Sequence, residues 1–237
     1  MRRRIMLTGG MAAGTMAVAG TPGRAAGDQP AILELFTSQG CSSCPPADAL
    51  LGELARRPDV IALAWHVDYW NYLGWRDPHA SKDWTERQRI YARLLHDEVY
   101  TPALVVNGTA MVVGSDRRAV QAAMTATAPP PLRLSVRRSA DRLTIDLGGS
   151  DLGGAAAPAE LLLVAYDAET TTRVGAGENG GRTLREYRVV RSTRRLEPSS
   201  GTVTLEPIAL NQGVVVLAQD ASGRVIGAAE MRASPGL

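Results

Sequence analysis

Apolar positions along this chain follow one rhythm before a run of three prolines and another after it. Between residues 31 and 128, short apolar runs alternate with stretches spaced three and four apart. Those two periods mark strands and amphipathic helices. Ile32, Leu33, Leu35 and Phe36 predict a strand over 31–36, and Ala47, Leu50, Leu51 and Leu54 a helix over 46–56. The run from Val60 to Val67 is almost continuously apolar, as in a strand covered on both faces. A polar, aromatic segment over 68–80 then leads to a helix over 82–96, with Ser81 placed to cap its first turn. Two short strands, 103–106 and 111–113, flank Asn107-Gly108, a strong hairpin signal. A last helix starts near Asp116, with Ala119, Val120, Ala123 and Met124 on one face.

Pro129-Pro130-Pro131 breaks this pattern, and such a run reads as a linker. Beyond it the period becomes two. Leu132, Leu134 and Val136 alternate with polar neighbours, as do Leu143, Ile145 and Leu147. Further strands are predicted at 160–167, 184–191, 202–206, 213–219 and 224–230. About seven short strands in roughly 100 residues point to a sandwich. No cysteine pair or tryptophan in that stretch ties it to immunoglobulin domains. The expected organisation is an α/β domain over 28–128, a linker at 129–131 and an all-β, sandwich-like region over 132–237.

The chain's 237 residues suit one large domain or two ordinary ones, and 45% apolar content can fill a core. A net charge of +2 recommends neither a nucleic-acid nor a membrane-surface partner. Residues 1–27 have a different character: Met1-Arg2-Arg3-Arg4, a short, mildly apolar stretch, then small residues at Gly23, Ala25, Ala26 and Gly27. That order is the signature of an export signal, and the paired arginines suit the twin-arginine type. No later run approaches membrane-spanning length. The expectation is a periplasmic or secreted protein, in a compartment where disulfides persist.

Both of the chain's cysteines lie in one unit, Cys41-Ser42-Ser43-Cys44, between the first predicted strand and the first predicted helix. They pair with each other, bind something together, or remain free. The positive end of a helix dipole stabilises a thiolate there, which favours reversible pairing. A permanent staple across so small a loop removes little unfolded-state entropy. Copper(I) suits two thiolates with His66, whereas three scattered histidines, 66, 79 and 96, supply no obvious zinc set. All four tryptophans fall between 65 and 84. If the second strand opens on the same edge as the dithiol, the stretch from His66 to Trp75, with Trp70, forms a rim for a partner polypeptide. The alternative is that these aromatics pack the 82–96 helix onto the sheet. The 175–182 stretch, rich in glycine with Glu178, Asn179 and Arg182, reads as a turn between strands, or as a contact to the first region.

Two residue sets resemble the thioredoxin superfamily in its shorter, glutaredoxin-like core order. They are the Cys-x-x-Cys unit between strand and helix, and Thr101-Pro102 directly before the strand Ala103-Leu104-Val105-Val106. More narrowly, the stretch from Leu33 to Asp48, the segment Trp65-His66-Val67-Asp68-Tyr69-Trp70 and the stretch from Gly177 to Leu184 resemble a bacterial family of secreted, thioredoxin-like proteins of unknown function. The resemblance implies a cis bond before Pro102, with Thr101 and Pro102 docking a substrate chain. It also implies that Cys41 is the nucleophile, Cys44 the resolving thiol, and Glu34 the buried base that assists it. The sequence departs from well-studied members at Gln39-Gly40, where a tryptophan is usual, and at the two serines between the cysteines. The combined expectation is an exported thiol–disulfide oxidoreductase without a cofactor. Its partners would be protein thiols or disulfides, and a redox recycling partner. The alternatives are a non-catalytic binding or assembly module with a resting disulfide, and a copper(I) chaperone.

Overall fold

A computed structural model describes residues 29–139, 142–147, 158–198, 201–204 and 212–233; the expected export signal lies outside them. In chain order the elements are β1 (Ala31–Thr37), α1 (Pro45–Leu54), β2 (Val60–His66), a short 3-10 turn (Asn71–Leu73), α2 (Lys82–Leu95), β3 (Ala103–Val106), β4 (Ala110–Val113) and α3 (Arg117–Ala126). They continue with β5 (Leu134–Ser139), β6 (Arg142–Leu147), β7 (Glu160–Arg173), β8 (Thr183–Leu196), β9 (Gly201–Thr204), β10 (Gln212–Gln219) and β11 (Val225–Met231).

Local signals place the ends of these elements. α1 opens on Pro45-Pro46, where a missing amide leaves nothing unsatisfied. Ser81 accepts a hydrogen bond from the Asp83 amide and caps α2, and Asp116 accepts from the Arg118 and Ala119 amides to cap α3. The three-residue turn between β3 and β4 puts Asn107 and Gly108 at positive φ, a backbone region that asparagine and glycine tolerate.

The expected thioredoxin-like domain followed by a separate sandwich-like region is overturned by the pairing of the strands. Among the described residues, eight of the eleven strands form one large mixed sheet, in the order β11-β10-β7-β8-β2-β1-β3-β4. Only β5, β6 and β9 form a second, three-stranded sheet. β2 runs parallel to β1 along its whole length, and its other edge meets β8 at Ala64 and Val189. β7 and β8 form a long hairpin of 14 residues each, which carries the sheet onward to β10 and β11. Alternation predicts which segments are strands but carries no information about which edges pair.

The cores follow the sheet. Leu33 and Leu35 face α1 and α3, packing with Leu50, Leu51, Leu54, Val120 and Ala123. Ile32 and Phe36 face the other way, toward Trp84 and Tyr91 of α2. That second cluster runs without a break into Leu162, Val164, Tyr166, Val190, Val215 and Leu217, so residues before and after the prolines share one apolar interior. A third cluster joins Leu143 and Ile145 of β6 to Leu161, Leu163, Val214 and Val216. The two halves also meet at α1, where a Cβ on Gly52 would run into the Tyr187 ring. At the same helix, Arg188 donates to the Ala55 carbonyl at 3.0 Å.

Candidate functional site

β1 and β2 are parallel, so both finish at one edge of the sheet, at Thr37 and His66. β3 runs antiparallel to β1, with Ala103 opposite Phe36. The Thr101-Pro102 bond just before it is cis and stands at that same edge. The chain leaving β1 turns through Ser38, whose carbonyl accepts from the Cys41 amide at 3.1 Å. Gly40 has no room for a side chain, because an added Cβ would lie 2.8 Å from the Trp70 Cβ. Cys41 and Cys44 are joined as a disulfide with Cα atoms 5.4 Å apart. Cys44 is the N-cap of α1, where the helix dipole favours negative charge. Both cysteines are buried, and the two serines between them are exposed.

The segment joining β7 to β8 fastens this loop. Asn179, buried, donates through Nδ2 to the Gln39 carbonyl at 3.0 Å and the Cys41 carbonyl at 2.9 Å. Glu178 accepts from the Ser42 amide at 2.9 Å. Hydrogen bonding from the Ser42 hydroxyl, and then from its amide, holds the Glu178 carboxyl below the usual range. The contact between the 175–182 stretch and the first half of the chain is therefore real.

Behind the disulfide lies a buried polar cluster. His66 Nδ1 and Asp77 Oδ2 are 2.7 Å apart, with neither side chain exposed. Asp77 also accepts from the Gln39 and His79 amides, each at 2.9 Å. Burial alone would lower His66, but the charge of Asp77 and the bond to it hold the imidazole up at about 9. Burial would raise Asp77, and the His66 cation with three hydrogen bonds keeps it at about 2. Burial and the neighbouring His66 charge push His79 down to about 4. Gln39 Nε2 donates to Glu186 at 2.8 Å, and Trp75 donates to Gln39 Oε1 at 3.0 Å. Burial raises Glu186. It also raises Asp48, to about 7, against the pull of the His66 charge.

A model of the family described as protein of unknown function, DUF1223, matches residues 32–220. The chain belongs to the DUF1223 family. A structural-genomics protein of Agrobacterium tumefaciens, known from its X-ray crystal structure, is 32% identical over 87% of this chain and 96% of its own, with a TM-score of 0.73. HBP35 of Porphyromonas gingivalis aligns over 89% of this chain and 79% of its own at 16% identity and a TM-score of 0.54, which shows a shared fold alone. No curated protein matches the chain.

In this DUF1223 chain the sequence-predicted residues divide. Cys41, Cys44, Trp70, Thr101 and Pro102 lie at one edge, and Trp70 Nε1 donates to Thr101 Oγ1 at 2.8 Å. His66 is fully buried in the ion pair with Asp77 and forms no part of an exposed rim. The tryptophans split likewise: Trp65 and Trp84 pack edge to face in the core at 5.0 Å, while Trp70 and Trp75 are half-buried around the dithiol loop. Glu34 stands apart from the cysteines. By alternation it points with Ile32 and Phe36 to the α2 face, whereas the helix led by Cys44 covers the opposite one. There Arg87 grips both its oxygens, at 2.7 and 2.9 Å, and Tyr91 donates to it at 2.5 Å. Among the described residues no three His, Cys, Asp or Glu side chains are set to hold a metal ion. Sequence reasoning missed Asp48, Asp77 and Glu186, and it named Gln39 and Asn179 without their partners. Two left a signal: Asp48 falls one helical turn after Cys44 beside Leu51, and Glu186 sits in register with Leu184 on an inward strand face.

Proposed function

We propose that this chain carries out thiol–disulfide exchange on protein thiols through the Cys41–Cys44 pair. What it would share with thioredoxin-like enzymes is the chemistry of a dithiol, not the expected fold. The observation that carries the reading is the disulfide at the start of α1, backed by a buried cluster of acids and histidines. A helix start favours the thiolate that must leave when the bond is broken, and buried groups titrating near neutrality suit proton transfer. Thr101, Pro102 and Trp70, at the same edge of the sheet, would supply the place for a partner chain. The basic, then apolar, then small-residue order of residues 1–27 supports export and a periplasmic or secreted location.

A second reading has an observation of its own. Both cysteines are buried, under a loop fastened by Glu178 and Asn179, which suits a resting disulfide in a binding module. Equilibration of the protein in glutathione buffers, followed by trapping of free thiols, separates the two. A reduction potential between roughly −120 and −270 mV is expected for exchange. A value well below about −300 mV sinks the exchange reading in favour of the resting disulfide.

A further inference from the structure

Four buried polar atoms near the start of α1 lack a hydrogen-bond partner: Thr37 Oγ1 at the end of β1, Asp48 Oδ1 on α1, His66 Nε2 at the end of β2 and Glu186 Oε1 on β8. Buried polar groups are nearly always satisfied, so such a concentration calls for an explanation. Thr37 and His66 both act on the Asp48 carboxyl, and His66 Nε2 stands 4.0 Å from Glu186 Oε1. Asp48 is the member tied to the cysteines. Its amide donates to the Cys44 carbonyl at 3.1 Å, in the first turn of the helix. Side chains four apart on a helix are neighbours on one face.

Resting on the exchange reading above, we infer that Asp48 passes the proton to and from Cys44 during thiol–disulfide exchange. On reduction, an incoming thiolate attacks Cys41 Sγ and forms the mixed disulfide. The Cys41–Cys44 bond breaks, its electron pair leaves on Cys44 Sγ, and the Asp48 carboxyl protonates that sulfur. In the reverse direction the Asp48 carboxylate takes the Cys44 proton. The freed thiolate attacks Cys41 Sγ and expels the partner's thiolate. No outside oxidant or reductant beyond the partner thiol or disulfide is needed.

The other acids and bases nearby are committed elsewhere. Glu34 is held by Arg87 on the far face of the sheet. His66 is held as a cation by Asp77, so it has no free lone pair to accept with. Glu186 accepts from Gln39 through Oε2, and its other oxygen faces His66 Nε2 at 4.0 Å rather than the cysteines. The groups acting on Asp48 are His66 of β2, Glu186 of β8, the Thr37 hydroxyl of β1 and Asp77 of the segment after β2, with Cys44 one turn back on its own helix. Their balance leaves Asp48 half-ionised at about pH 7, where a general acid and base works best.

The test uses the reduced full chain mixed with a chromogenic aryl disulfide, from about pH 5 to pH 9. Attack by Cys41 releases one aryl thiolate; resolution by Cys44 releases the second. In the native protein the second phase is expected to rise with pH about a midpoint near 7. Asp48→Asn is expected to slow it about a hundredfold at neutral pH and to leave the first phase alone. A variant whose second phase keeps the native rate and pH profile overturns the role of Asp48 while exchange itself stands. Absence of the first phase from the native protein overturns exchange and this inference together. If the variant does not fold, the native profile decides: a second phase with no inflection across that range overturns the proposal.

Discussion

Ionising a carboxyl that is buried with an unpartnered oxygen is costly, and Asp48 is such a group. Its folded pKa, about 7, lies above the ordinary aspartate value of 3.8. Its contribution to stability is therefore present below about pH 4 and is lost as pH rises through 7. His66 acts in the same sense, losing its contribution between 6.5 and about 9. Asp77 acts in the opposite sense: its contribution is present above 3.8 and is lost on acidification through about 2. His66 and Asp77 form one pair, so their mutual attraction counts once. Asparagine keeps the shape of Asp48 and cannot ionise. Asp48→Asn is expected to be more stable than the native chain at about pH 8, by up to about 4 kcal/mol, with the gap closing toward about pH 4. Urea unfolding midpoints across that range measure it. A gap independent of pH would mean that Asp48 is not ionised at a cost in the folded protein.

At the scale of elements, periodicity made most of the helices and strands legible, because each buries one face. Ser81, Asp116 and Asn107-Gly108 marked their ends through local chemistry. The site was legible only where its chemistry was local. The cysteines and Thr101-Pro102 stand out locally, whereas Glu34 meets Arg87 and Tyr91, and an acid in an apolar strand looks the same whether a cysteine or an arginine waits for it. Arg87 lies 53 residues away and Asn179 lies 138 from Cys41, and no pattern in the chain announces such pairings. The stretch over 175–182 works as a strap on the dithiol loop, and Asn179 contributes two of its bonds. Asn179→Ala is expected to cost about 1–3 kcal/mol by leaving the Gln39 and Cys41 carbonyls unpaired. It should also raise the rate at which dithiothreitol reduces the disulfide by about tenfold, since about 1.4 kcal/mol of lost hold is a factor of ten in the population of open loops. Stopped-flow reduction reads this; a native rate in a destabilised variant would mean that the strap does not limit access to the sulfurs.

The whole molecule explains why the site could not be assembled from the first half alone. Residues before the prolines supply the disulfide, Asp48, His66 and Asp77; residues after them supply Glu186, Asn179 and the strand that covers the free edge of β2. A chain cut after residue 131 would leave the β2 edge unpaired, which invites aggregation. It would also expose α1 where Tyr187 now packs against Gly52, and strip the Gln39 side chain of its Glu186 partner. The apolar cluster shared by Ile32, Trp65, Val164 and Val215 would be opened along one side. Small domains keep a margin of only about 5–15 kcal/mol, and losses on that scale remove it. A fragment over 29–131 is therefore expected to show no cooperative thermal transition by near-ultraviolet circular dichroism, with or without the disulfide reduced. A separate domain would instead melt cooperatively, close to the midpoint of the full chain. That outcome would mean that the β2–β8 pairing joins two units that fold alone, and would return the site to the first half of the sequence.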